Sequence, residues 1–180
     1  MSDRYLLSVF TIIVLLLTGC APSATVSQRK CVPISEIYEK GTGIAVWDFA
    51  ITRPTDDVDD VQMDRFLANR IRKSINKERH LNLIDRDRFN LLLQELNLGV
   101  LSDEKTRLRL GEITGAELMV FGDVCHIAGN SMLINLRLFE VETRVPLSSV
   151  KKYYNPAPTT MSELQKAVEE MTPDLFMICQ

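Results

Sequence analysis

The chain has 180 residues, a formal net charge of −3, and 25% charged residues. So mild an acidic balance gives no support for nucleic-acid binding, which would show a basic patch. The length bounds the chain at one domain with a self-sufficient core.

Arg4 leads into an apolar run, Tyr5 to Leu17, that closes on Leu17-Thr18-Gly19-Cys20. At about 13 residues the run is short of the ~20 needed to span a bilayer as a helix, and it has the length of a signal h-region. A small-residue pair before a cysteine at the end of such a run reads as a bacterial lipoprotein signal. Cleavage after Gly19 would leave Cys20 as the lipidated N-terminus, held by acyl chains worth ~0.8 kcal/mol per buried methylene. Ala21, rather than an aspartate, follows it, which favours the outer membrane and its periplasmic face. The expected layout is signal peptide 1–19, lipidated cysteine and flexible tether 20–42, and an α/β domain over 43–180. A flexible tether of ~20 residues reaches roughly 25 Å. No second apolar stretch approaches spanning length, so the lipid is the expected membrane contact.

Cys31, Cys125 and Cys179 remain. The compartment permits a disulfide, but three is an odd number and the spacing names no pair. Cys125 falls in a predicted strand and reads as a small buried hydrophobe.

Ile44 to Phe49 is a nearly continuous apolar run, the pattern of a central strand covered on both faces. A helix follows, with Met63, Leu67, Ile71 and Ile75 at helical spacing, Phe66 beside them, and Arg65, Arg70, Arg72 and Lys73 facing away. Leu81 to Ile84 is a short strand. Asp85 is placed to N-cap a helix with Phe89, Leu92, Leu93 and Leu96 on its core face and Gly99 as its stop. A third helix starts at Ser102, with Asp103 and Glu104 against its dipole, and ends near Thr114-Gly115. Leu118 to Val124 is a third strand. After a turn at Ala128-Gly129-Asn130, Met132, Ile134, Leu136 and Leu138 alternate with Leu133, Asn135, Arg137 and Phe139. Glu142-Thr143-Arg144 turns into a fifth strand, Pro146 to Tyr154. Thr160 and Glu163 form a capping box for a last helix with Leu164, Ala167, Val168, Met171 and Leu175 on one face; Pro173 should kink it or restart it near Thr172.

The order β-α-β-α-α-β-β-β-α predicts a single α/β domain with a mixed five-stranded sheet and about four helices. Its first three strands should be parallel through helical crossovers, and its last two antiparallel.

Asp56, Asp57, Asp59 and Asp60, with Asp64, form an acidic cluster. A calcium loop would need a glycine for its sharp turn, and the cluster holds none. It reads as a solvated loop entering a helix N-terminus, or as an acidic patch lining an oligomer or facing a cationic ligand. Asp85-Arg86-Asp87-Arg88 reads as an N-cap followed by helix-surface charges. His80 and His126 lack metal-type spacing. No GxSxG, P-loop, dinucleotide fingerprint or HExxH is present, so neither catalysis nor a cofactor or metal is expected. Of Tyr153 and Tyr154, adjacent on a terminal strand, one should reach the surface, where it is a candidate interface anchor.

Ile44-Ala45-Val46-Trp47-Asp48-Phe49, Leu83-Ile84-Asp85-Arg86, the block from Leu110-Gly111 through Gly115-Ala116 to Gly122-Asp123-Val124, and Leu136 to Thr143 together resemble the curli secretion channel (CsgG) family over residues 43–150. Relatives with a similar domain include the penicillin-binding-protein activator lipoproteins (LpoB) and the Pel polysaccharide export lipoprotein (PelC). The resemblance implies a small α/β domain, outer-membrane lipid anchoring, frequent ring formation and no catalysis. Two departures discriminate among relatives. Residues 126–131 are too few for the membrane-spanning hairpin that the curli channel inserts there. The tether is also shorter than the long disordered one of the synthase activators. The expectation is an oligomeric accessory of an envelope export machine, with a monomeric activator of a cell-wall synthase as the alternative.

Overall fold

The structure is a computed structural model that describes residues 30–52, 60–78, 80–87, 91, 104–127 and 129–179. Its elements are β1 (Cys31–Pro33), a 3-10 turn (Ile34–Glu36), β2 (Thr42–Val46), β3 (Ala50–Thr52), α1 (Asp60–Ile75), β4 (Leu81–Leu83), α2 (Glu104–Thr114), β5 (Leu118–Ile127), β6 (Ser131–Glu140), β7 (Pro146–Tyr154), α3 (Met161–Leu175) and β8 (Met177–Cys179). The helix expected over Phe89, Leu92, Leu93, Leu96 and Gly99 lies outside the described residues. Its start is visible, because the Asp85 carboxylate accepts from the Asp87 N–H at 3.1 Å, as an N-cap should.

The mixed α/β fold is as expected. The main sheet runs β4-β2-β5-β6-β7, with β3 also on β5. β4 and β5 flank β2 in parallel, and β6 and β7 follow antiparallel. The sheet has six strands, not five, because the first apolar run is divided. In β2, Ile44 faces Leu118 and Val46 faces Val120; in β3, Ala50 faces Asp123. Trp47, Asp48 and Phe49 therefore stand opposite only Phe121 and Gly122. One extra residue on one strand is a β-bulge, which bends the strand and re-aims a side chain.

Gly122 makes the bulge possible. A Cβ at this position would come within 2.4 Å of the buried Phe49 ring. The ring occupies the space that any side chain at 122 would fill.

Both sheet faces are covered along β2 and the first half of β5. Ile44, Val46, Leu118, Val120, Ile134 and Leu136 pack under α1 and α3, through Leu67, Ile71, Val168 and Met171. Each such side chain contributes ~1.5–3 kcal/mol on full burial. On the opposite face Ala45, Met119, Phe121 and Phe139 meet Leu108 and Leu110 of α2. Phe121 and Phe139 pack edge to face, 5.5 Å between centroids. Gly115, at φ +79°, closes α2 by adopting the left-handed conformation.

The capping box at Thr160 and Glu163 is formed, and α3 buries its predicted face. The helix continues through Pro173 to Leu175 without restarting at Thr172. Pro173 lies in the last turn, so any bend it causes redirects only the final residues of the helix.

The folded unit begins before residue 43. β1 pairs antiparallel with β8, and Cys31 is disulfide-bonded to Cys179. Ile34 is 2% exposed, and Thr42 is buried. Residues 31–42, read above as tether, are thus part of the domain. Their apolar residues show no period because Val32, Pro33, Ile34 and Tyr38 are placed by tertiary contacts, while Ile37 stays exposed.

Replacing Gly122 by alanine should cost about 1–3 kcal/mol, the usual penalty for overpacking a core. Urea unfolding would measure this. Combining it with Phe49→Leu should cost less than the sum of the two single changes, since both act on one contact.

Candidate functional site

Among the described residues, three polar constellations lie at the C-terminal ends of the parallel strands or line a cavity. The first sits at the C-terminal ends of the parallel strands, where ligands of open α/β sheets usually bind. The bulge turns Asp48 away from the ladder, and its carboxylate makes a two-pronged pair with the Arg86 guanidinium. Arg72 Nη2 donates to the Val46 carbonyl at 2.5 Å and lies 3.8 Å from Asp48. Burial pushes Arg72 below its ordinary value, and the Asp48 charge opposes that shift. Burial raises Asp64 nearby, against a hydrogen bond from the Arg65 N–H. The two arginines consume the carboxylate, so the cluster works as a clamp joining the bulge, α1 and the segment after β4.

This corrects two expectations. Arg72 does not face away with Arg65 and Lys73: its side chain is only 11% exposed, drawn inward by Asp48 and the Val46 carbonyl. Arg86 is an internal ion-pair partner rather than a helix-surface charge. The only hint in the sequence was a lone carboxylate, Asp48, inside an otherwise apolar run.

The second constellation is an acidic cleft of about 350 Å³, lined by Tyr38, Glu112, Glu117, Glu140 and Glu142. Tyr38 donates to Glu140 Oε1 at 2.8 Å, and Thr143 donates to Oε2 at 2.6 Å. Burial first, then the Glu140 hydrogen bond, push the Tyr38 phenol far above its ordinary value. The two donors, Thr143 foremost, hold the Glu140 carboxyl below its usual range.

The third is at the far end of β7. Tyr153 is 56% exposed, as one tyrosine of the pair was expected to be. It shares its sheet face with Leu133 and Cys125 by register. Tyr154, on the other face, lines an open cavity of about 330 Å³ with Pro156, Pro158, Lys166 and Glu170. Burial raises its phenol. Lys152 donates to Glu170 at 2.8 Å and lies over the Tyr154 ring.

Of the other predicted site residues, Cys20, Asp56, Asp57 and Asp59 lie outside the described residues, and Asp60 opens α1. Asp60 and the tyrosines belong to different elements, and no described contact brings them together. Cys125 is free and half-buried. Among the described residues no group of three or more His, Cys, Asp or Glu could hold a metal ion, and no helix is long and apolar enough to cross a membrane.

The fold has known counterparts. The C-terminal domain of LpoB from Salmonella enterica superposes with a TM-score of 0.52 at 13% identity, covering 67% of this chain and 91% of that domain. Lipoprotein GNA1162 from Neisseria meningitidis gives 0.50 at 10% identity, covering 74% of this chain and 96% of its own. A PelC dodecamer structure from Paraburkholderia phytofirmans gives 0.47 at 11% identity, covering 83% and 95%. No family model matches, and no curated protein sequence matches. The likeness to LpoB-type single-domain proteins is one of fold, and membership of the curli secretion channel family is not supported.

Two measurements follow from the polar sites. Asp48→Asn should lose about 2 kcal/mol in urea unfolding, because it leaves two partly buried guanidiniums without their anion. Arg86→Ala on that background should then cost little more. The depressed Glu140 carboxyl contributes stability that is complete above the ordinary glutamate value of 4.5 and is lost as pH falls through its folded value. Glu140→Gln should therefore flatten the loss of stability below about pH 4.5, read from thermal melts across pH.

Proposed function

We propose that the chain is an envelope lipoprotein, lipid-anchored through Cys20 at the periplasmic face of the outer membrane, and a non-catalytic accessory of an export or assembly machine. The observation that supports this most is the likeness of its fold to the LpoB C-terminal domain over 91% of that domain's length. The Leu17-Thr18-Gly19-Cys20 motif and the lipoprotein GNA1162 point the same way. The three polar constellations offer charged, aromatic and acidic surfaces rather than a nucleophile with its base. Docking is the mechanism such surfaces permit, and anchoring many copies at one membrane raises their local concentration and favours self-association.

The folded start at Cys31 sharpens the geometry. Only residues 21–30 would separate the lipidated cysteine from β1, and ten residues span ~35 Å at full extension. A partner must therefore present itself close to the membrane. That favours an oligomeric export accessory over an activator that crosses the periplasm. The fold likeness to LpoB keeps a second reading: a monomeric activator that engages the part of a penicillin-binding protein nearest the outer membrane.

Wild-type protein should incorporate labelled palmitate and sediment with outer membranes, whereas Cys20→Ala should do neither. Cross-linking in membranes should give species above the monomer. A strictly monomeric pattern with a co-purifying penicillin-binding protein would select the activator reading, and palmitate on the Cys20→Ala variant would remove the anchor.

A further inference from the structure

The Cys31–Cys179 bridge joins two short strands. Among the described residues β1 and β8 pair only with each other, three residues against three. A ladder that short is marginal by itself. Its two sides are held unequally. β8 is fastened from behind, because Phe176 and Ile178 are buried in the α1–α3 core. β1 offers only half-buried Val32 and Pro33. Both cysteine residues are exposed, so a reductant can reach the bridge. Just beyond β1 the chain is secured again. Ile34 is in the core, its N–H donates to the Phe176 carbonyl at 2.8 Å, and Tyr38 donates to Glu140.

We propose that this bridge is a redox-cleavable clasp that sets where the N-terminal chain leaves the domain. Oxidised, the exit point is residue 31. Reduced, β1 parts from β8 and the exit point moves to Ile34, where the buried side chain stops further release. The reductant is an envelope dithiol. One of its thiolates attacks a bridge sulfur to form a mixed disulfide, and its second thiol displaces the protein sulfur. Two electrons and two protons pass to Cys31 and Cys179, and the dithiol becomes a disulfide. On the reading that Cys20 carries the anchor, opening lengthens the leash by three residues, ~10 Å of extended chain. The domain would then stand farther from the membrane, with its fold unchanged.

Hydrogen exchange followed by mass spectrometry on the full-length protein in detergent tests this, comparing the oxidised form, the form held reduced by a phosphine, and the Cys31→Ser/Cys179→Ser variant. Exchange at the Cys31 and Val32 amides should accelerate at least tenfold in both opened forms, while the Ile34 amide, held by the Phe176 carbonyl, and the amides of β5 and β6 stay within twofold. Unchanged protection of Cys31 and Val32 would overturn the clasp, since the ladder would then hold without the bridge. Accelerated exchange throughout β5 and β6 would also overturn it, because the bridge would then be a staple for the whole fold. Neither result bears on the anchor, which palmitate labelling of Cys20 decides separately.

Discussion

The contact between Phe49 and Gly122 is the constraint from which most of this architecture follows. A strand that continued in register beyond Val46 would place every later side chain one position differently against β5. The extra residue between Val46 and Ala50 shifts the register, and it is tolerated because the Phe49 ring fills the volume left by the missing side chain of Gly122. Once the strand has slipped, Asp48 no longer belongs to either sheet face. It is free to reach the two guanidiniums that tie α1 and the segment after β4 to the parallel edge. A packing event thus creates the polar clamp; the charges do not create the bulge.

The same logic separates stability from surface. The two cores take nearly all the large apolar side chains of β2, β5 and β6, while polar groups gather at the strand ends and, at Asp123, Asn135 and Arg137, in mid-strand. The acidic cleft gathers at the start of β5 and the end of β6, since Leu118 pairs with Glu140. Tyr153, Tyr154 and Lys152 gather at the opposite end, since Tyr154 pairs with Met132. The domain therefore has chemically different poles. The disulfide adds a third feature: a covalent tie between the first and last strands, 148 residues apart in sequence.

Much of the fold was legible from pattern. The helical face of Met63, Leu67, Ile71 and Ile75, the alternation from Met132 to Leu138, and the capping box at Thr160 report local geometry that burial then rewards, so one chain segment suffices to read them. What escaped was non-local. β1 and β8 are three residues each, too short for any period to show, and exist because they meet each other. Arg72 follows the rule that cations face solvent until Asp48, 24 residues away, offers an anion at a bulge that no spacing announces. Tyr38 and Glu140 could be paired only once the segment before β2 was known to fold back on β6.

The sequence by itself determined the candidate anchor at Cys20, the α/β class, the mixed strand directions and the buried faces of α1 and α3, because these depend on composition, periodicity and connection length within short windows. Tertiary structure alone decided which cysteines pair, where the domain begins, how the first strand breaks and which charges turn inward. Each of those depends on two distant segments arriving at one place, where the energy of the contact rather than the local preference of either segment sets the outcome.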